Sequence, residues 1–230
     1  VKKFEDKFAK YNNKKYCVAV SSGTSALFLA LKSLGIKMND EIITTSLSFV
    51  ATPMSVNYLE AKPIFVDIDP ANWNIDVEKI EKKITKKTKA ILPVHLHGLM
   101  CNMETIKKIA KKNNLKIIED AAQAAGSKYN FKKPGHYSDV ATFSFYPTKN
   151  LSTYGEGGAI ITNSYNIYKY CKEFRNWGNR IFYKDISYNY RMPEISAFIL
   201  NLKLNYLKSN IEERRFIASC YIDKLDTNNI

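Results

Sequence analysis

The sequence predicts a three-layer α/β/α fold with a mostly parallel sheet, and two patterns lead to it. Short apolar runs, such as Tyr16–Val20, alternate along the chain with helical segments, and the 89–96 run reads as fully buried. A strand covered on both faces has no solvent side, so continuous apolar runs point to a sheet with helices on each face. Alternating strand and helix units also favour parallel crossover connections.

Residues 16–20 form the first apolar run, which stops at Ser21-Ser22-Gly23-Thr24. Residues 25–34 follow with Leu27, Leu31 and Leu34 on one helical face, and Gly35 ends them. Residues 41–45 read as the next strand. Pro53 then falls in the first turn of a helix reaching Tyr58, where a missing amide costs little. Residues 62–67 make a strand with a proline near its start. Residues 77–84 read as a helix and 89–96 as a buried strand. Within that second segment, His95-Leu96-His97 alternates as a strand does and places both rings on one face. Residues 103–113 carry a clear amphipathic period ahead of a strand at 116–119, and further strands are predicted at 140–144 and 158–162. Beyond about residue 165 the pattern turns mainly helical. Residues 176–190, rich in Asn, Gly and aromatic residues, are expected to be irregular, and such long loops are often functional. Residues 226–230 add no closing element.

Composition narrows the function classes. With 230 residues and 45% hydrophobic content, the chain can bury a large core, which excludes collagen-like and disordered readings. No apolar run approaches the ~20 residues of a membrane helix. The first residues carry neither an initiator Met nor an apolar leader core, so the chain reads as a fragment. The net charge is +13, but the cations are mostly lysines scattered along helix faces, such as Lys107, Lys108, Lys111 and Lys112. A nucleic-acid footprint would be a clustered basic face, so no nucleic-acid partner is expected. A basic surface can still attract an anionic small substrate. Cys17, Cys101, Cys171 and Cys220 lie far apart, with neither zinc-finger nor disulfide spacing, which suits a reducing cytoplasm. His95 and His97 lack the further ligands of a metal site, so no metal is expected.

In a parallel sheet, ligands bind beyond the carboxyl ends of the strands, and four segments fall there. Ser21 to Ala26 joins a strand to a helix, and its glycine, hydroxyls and free amides form a small phosphate cradle. Read alone it is more often just a helix cap. Glu119-Asp120-Ala121-Ala122-Gln123 puts a carboxylate among small residues at a strand end, where it can approach a flat ligand closely or, equally well when taken by itself, cap a helix. Ser144-Phe145-Tyr146-Pro147-Thr148-Lys149-Asn150 puts Lys149 at the same sheet edge, where a single lysine of so many would ordinarily be a solvated charge. Tyr154-Gly155-Glu156-Gly157-Gly158 supplies flexible backbone nearby.

Taken in order, Ser-Gly-Thr-x-Ala, Glu-Asp-Ala-Ala-Gln, Ser-Phe-Tyr-Pro-x-Lys-Asn and Gly-Glu-Gly-Gly resemble the DegT/DnrJ/EryC1/StrS family. These are pyridoxal-phosphate enzymes, chiefly nucleotide-sugar aminotransferases. Ser48-Phe49-Val50-Ala51-Thr52, Val66-Asp67-Ile68-Asp69, Val94 to Gly98, Arg175-Asn176-Trp177-Gly178 and Tyr188-Asn189-Tyr190-Arg191-Met192 extend the resemblance over about residues 4 to 205. It implies a type I aminotransferase-like large domain at residues 1–205. Residues 206–230 would then be a helical segment leading to a C-terminal small domain that is absent or incomplete here.

The same resemblance implies residue roles. Lys149 would form a Schiff base with the aldehyde of pyridoxal 5'-phosphate. Asp120 would pair with the ring nitrogen, Gln123 would contact the ring hydroxyl, and Phe49 would stack on the ring face. Gly23, Thr24, Ser25 and Ser144 would hold the phosphate, with Asn189 reaching in from the partner in a homodimer. The implied reaction passes an amine from an amino acid, L-glutamate, to a nucleotide-linked keto sugar for amino-sugar and surface-polysaccharide biosynthesis, in the cytoplasm. Tyr146 stands where many relatives carry His, in a loop that varies with substrate class. Two alternatives accompany this reading. A sugar dehydratase of the same family would replace the lysine, usually by His, and a non-enzymatic regulatory relative would tolerate loss of Lys149, Asp120 or Gln123. All three are present.

Overall fold

The computed structural model describes residues 1–178 and 186–225. Among them seven strands form one sheet: β1 (Tyr16–Val20), β2 (Glu41–Thr45), β3 (Lys62–Val66), β4 (Thr88–Leu92), β5 (Lys116–Asp120), β6 (Val140–Ser144) and β7 (Gly158–Thr162). Their spatial order is β1-β7-β6-β5-β4-β2-β3. β7 alone runs against its neighbours β1 and β6, while the remaining pairs are parallel. The mostly parallel sheet is therefore as the sequence predicts, and Pro63 lies in the edge strand β3, where a missing ladder donor is tolerated.

The helices are α1 (Lys2–Tyr11), α2 (Gly23–Ser33), α3 (Ala51–Asn57), α4 (Val77–Ile80), α5 (Met103–Lys112), α6 (Tyr165–Phe174), α7 (Glu194–Lys203) and α8 (Leu207–Lys224). Strand residues alternate between two buried faces. Val18, Ile42, Leu92, Ile118, Val140 and Ile160 pack with residues of α2 and α6. On the opposite face, Cys17, Ala19, Phe143 and Ile161 pack with α1 and α7, and Ile43, Ile91 and Ile117 pack with α5. Apolar area lost to solvent on both sides is what the continuous runs encode.

Helix α1 is an addition to the sequence reading. In a lysine-rich segment, only Phe4 and Phe8 mark its buried face. Phe8 meets Phe143 edge-on at 5.0 Å, and Phe4 meets Phe145 edge-on at 5.4 Å. The buried Glu5 fixes the helix to the sheet: its Oε1 accepts from Ala19 N–H at 2.9 Å and from the Arg175 guanidinium at 2.5 Å.

Three expectations change. The 77–84 helix is a single α turn, α4, continued by a 3-10 turn over Glu81–Lys83. The 89–96 strand ends at Leu92, because Pro93 has no N–H to extend the ladder and the chain turns into a 3-10 segment at Leu96–Gly98. His95 and His97 consequently do not share a face: His95 is fully buried, whereas His97 is exposed with φ 53°. In the 176–190 loop, Trp177 N–H donates to Tyr188 O at 3.1 Å and Tyr190 N–H to Arg175 O at 2.9 Å, so its two ends are paired. The rest of that segment, 179–185, lies outside the described residues, as do 226–230.

Among the described residues no helix is long and apolar enough to cross a membrane, and no cluster of three His, Cys, Asp or Glu side chains could hold a metal ion. Cys17, Cys101 and Cys171 are buried, Cys220 is half-buried, and all four are free thiols.

Candidate active site

Every strand but β7 points its carboxyl end to the same edge of the sheet, and the turns that follow β1, β2, β5 and β6 meet there. They enclose a cleft of about 500 Å³ lined by Gly23, Thr24, Ser48, Phe49, Thr52, Asp120, Gln123, Ser144, Tyr146, Lys149 and Glu156, among others. Seven of the sequence-predicted residues thus converge: Gly23, Thr24, Phe49, Asp120, Gln123, Ser144 and Lys149.

The turn after β1 is shaped by the start of α2. Ser22 is the N-cap, its hydroxyl accepts from Ser25 N–H at 3.0 Å, and the Ser25 hydroxyl accepts from Ser22 N–H at 3.0 Å. This capping box leaves the amides of Gly23 and Thr24 without an acceptor among the described residues, as expected at a helix start that faces a ligand. Gly23 has to be glycine, since a Cβ there would lie 2.8 Å from the Ser144 Cβ. Ser25 itself departs from expectation. Its hydroxyl and amide are both committed to the capping box, and it is not part of the cleft lining.

Lys149 sits on the turn after β6, where its N–H donates to Tyr146 O at 2.9 Å. The base of that loop is anchored at the buried Phe145, whose N–H donates to Gly157 O at 2.7 Å and whose carbonyl accepts from Thr153 N–H at 2.8 Å. The Phe49 ring lines the cleft yet is 70% exposed, so one aromatic face is available to a ligand.

Asp120 ends β5 and is 4% exposed. Its Oδ2 accepts from Thr52 Oγ1 at 2.8 Å and its Oδ1 from Ala122 N–H at 3.1 Å. Burial pushes its pKa above the ordinary aspartate value, against the opposing effects of those two bonds and of the Lys149 charge in the same cleft. A buried carboxylate with that bias is a ready partner for a cationic ring nitrogen. Gln123 Oε1 accepts from His97 N–H at 2.7 Å, which leaves its Nε2 as the donor for the cleft. Together with the glycine-opened phosphate turn, an exposed aromatic face and an amine, this donor set fits pyridoxal phosphate.

Two features escape sequence reasoning. Thr52 and Ser48 reach Asp120 through a pair of hydroxyls 2.8 Å apart; their only sequence signal is a four-residue spacing at a helix start. Behind β5, His95 Nε2 lies 2.8 Å from Glu119 Oε2, both fully buried, while Cys101 N–H donates to His95 Nδ1 at 3.3 Å. An amide only donates, so Nε2 carries the ring proton and gives it to Glu119. Asn189 lies outside the cleft of its own chain. It is exposed, and its Oδ1 accepts from Arg191 Nε at 3.0 Å.

Sheet order, helical layers and the cleft at the carboxyl edge define a type I aminotransferase-like large domain. The chain belongs to the DegT/DnrJ/EryC1/StrS aminotransferase family, whose model matches residues 1–230. It is 44% identical over 228 residues to the pleiotropic regulatory protein of Geobacillus stearothermophilus, a match covering 98% of this chain and 61% of that protein. It is also 44% identical over 224 residues to the dTDP-3-amino-3,6-dideoxy-alpha-D-galactopyranose transaminase of Aneurinibacillus thermoaerophilus, covering 96% of this chain and 62% of that one. The crystal structure of NtdA from Bacillus subtilis with bound cofactor PMP matches with a TM-score of 0.92 at 38% identity, over 97% of this chain and 52% of NtdA. The chain spans about three fifths of the length of the curated relatives it matches.

Proposed function

We propose that the protein is a pyridoxal-phosphate-dependent aminotransferase that moves an amino group from an amino acid, L-glutamate, to a nucleotide-linked keto sugar. The observation that carries this reading is the convergence of Lys149, Asp120 and the Gly23–Ser144 turn on one cleft. The cofactor, when bound, supplies the electron sink that lets a proton leave the carbon bearing the transferred amine. Asp120 holds the proton on the ring nitrogen, so that the ring stays cationic. Lys149 Nζ would hold the cofactor covalently and, as a free amine, would move the proton at the substrate carbon. The Gly23 and Thr24 amides and Ser144 Oγ bind the phosphate. Gln123 Nε2 would donate to the cofactor, and Phe49 would cover it and exclude water.

Amine donor and sugar class follow from the family resemblance, the transaminase relative and the basic surface that suits a nucleotide diphosphate. The product would serve amino-sugar and surface-polysaccharide biosynthesis, and the free thiols suit a cytoplasmic enzyme. We further propose a homodimer in which Asn189 completes the partner's phosphate site; its exposure outside its own cleft supports that role. A regulatory reading is favoured by one relative's name, yet the complete set of Lys149, Asp120 and Gln123 supports chemistry.

The full-length protein mixed with pyridoxal phosphate and reduced with borohydride should carry the cofactor covalently on Lys149, located by peptide mass analysis. Glutamate should then convert the unreduced protein to its pyridoxamine form. A folded protein that binds no cofactor would refute the aminotransferase. One that binds it but converts no nucleotide-linked keto sugar would favour the regulatory role.

A further inference from the structure

We propose that Thr52 is a positioning residue for Asp120, and that Ser48 and Thr52 form a two-hydroxyl relay that keeps this carboxylate anionic and aimed into the cleft. Thr52 is 1% exposed, and its Oγ1 lies 2.8 Å from both Asp120 Oδ2 and Ser48 Oγ. Each hydroxyl owns one proton. When Asp120 is ionised, the Thr52 proton points at Oδ2, and the Thr52 oxygen must accept the proton of Ser48. The relay therefore runs inward from Ser48, on the cleft wall, to the buried carboxylate. If Asp120 were protonated on Oδ2, the Thr52 oxygen would accept that proton and its own proton would have to turn away from the carboxylate, so the relay's polarity follows the charge of the aspartate.

The other donor to the carboxylate is the Ala122 amide, which reaches Oδ1 only. Without the Thr52 hydroxyl, Oδ2 would be buried with no protein donor, where burial already opposes the anion. The ionisable groups whose charge acts on Asp120 from adjoining elements are His95, after β4 and behind β5, and Lys149, after β6 in the cleft. Glu119 lies on the opposite face of β5, paired with His95. Neither ionisable neighbour is within hydrogen-bonding reach of Oδ2 among the described contacts, so Thr52 is its single fixed donor.

Because this role presupposes a cofactor ring nitrogen opposite Asp120, the test reads cofactor binding itself. Equilibrium binding of pyridoxal phosphate to the full-length protein is measured across acid to neutral pH for wild type, Thr52→Val, Thr52→Ser and Ser48→Ala. Thr52→Val, which keeps the side-chain volume, should weaken binding about tenfold and move the acid limb of the pH profile upward. Thr52→Ser should restore affinity to within about threefold, and Ser48→Ala should shift the acid limb in the same direction by less. Wild-type affinity and profile in Thr52→Val, or equal impairment in Thr52→Ser, would overturn the relay. Should Thr52→Val not fold, an unmoved acid limb in Ser48→Ala would overturn it instead. A wild type that binds no cofactor would sink the aminotransferase reading itself, a separate and earlier failure.

Discussion

Asp120 illustrates how a single residue trades stability for chemistry. Its folded pKa lies above the ordinary value because burial disfavours the charge. The folded state therefore holds the proton more tightly than the unfolded chain, and ionising the group costs stability. That cost is present above the folded pKa and vanishes as pH falls below the unfolded one. Asp120→Asn in cofactor-free protein should accordingly match or exceed the wild-type Tm by a few degrees near neutral pH, with the gain shrinking on acidification. Adding pyridoxal phosphate should reverse the order, since the wild type gains more from binding. Scanning calorimetry with and without cofactor reads both effects, and a lower Tm for cofactor-free Asp120→Asn at neutral pH would contradict the burial penalty. Lys149→Ala belongs to the same scale: it should abolish turnover and covalent attachment while leaving the fold intact, because the side chain makes no hydrogen bond among the described residues. Residual attachment in that variant would assign the role to another lysine.

At the scale of elements, the cleft depends on how closely β7 approaches the turn between β1 and α2. A Cβ at Gly158 would lie 2.2 Å from the Ser22 carbonyl oxygen and 2.8 Å from the Gly23 nitrogen. Both are backbone atoms and cannot rotate aside. Gly158→Ala should therefore push β7 away from the turn, destabilise the protein by about 3 kcal/mol and misdirect the Gly23 and Thr24 amides. Urea unfolding and cofactor titration should both register the change; an unchanged midpoint would mean that the turn yields without cost. Gly23→Ala is a lesser clash of the same kind, since a Cβ there would lie 2.8 Å from the Ser144 Cβ, an atom equally unable to rotate aside but not as close as the Ser22 carbonyl is to a Cβ at Gly158. Its main effect should be on cofactor affinity, with a smaller loss of stability.

For the whole molecule, the decisive question is whether two chains share each site. Asn189 is exposed and does not line its own cleft, and Arg191, two residues on, bridges to Val20 at the end of β1. In a two-fold assembly each contact occurs twice, so both sites would borrow equally. Hybrids of Lys149→Ala and Asn189→Ala chains test this, provided that each homodimer is inactive. If Asn189 acts across the interface, one hybrid site contains both intact residues, and up to about half of the wild-type activity should return. If it acts within its own chain, no hybrid site is complete. Verified hybrids without recovered activity would remove the shared site.

The sequence by itself determined the parts that are encoded locally. The bounds of β1, β2, β6 and β7 match short strand-like runs closed by turn residues, and α5 follows from its amphipathic period. Lys149, Asp120, Gln123, Gly23, Thr24, Ser144 and Phe49 were legible only through the family that their motifs, taken together, resemble; parallel strands then deliver the turns that carry them to one edge. The tertiary structure decided everything that depends on what lies opposite. Helix α1 becomes a helix with a buried face only because Phe143 and Phe145 are there to receive Phe4 and Phe8. The reversed direction of β7 is a choice of partners, to which its own five residues are indifferent. Ser25 and Thr52 show the same limit for polar groups. Both are hydroxyls near a helix start, yet one closes a cap and the other reaches a carboxylate 68 residues away. A hydroxyl takes whichever partner the fold brings within 3 Å or so, and the local sequence does not name that partner.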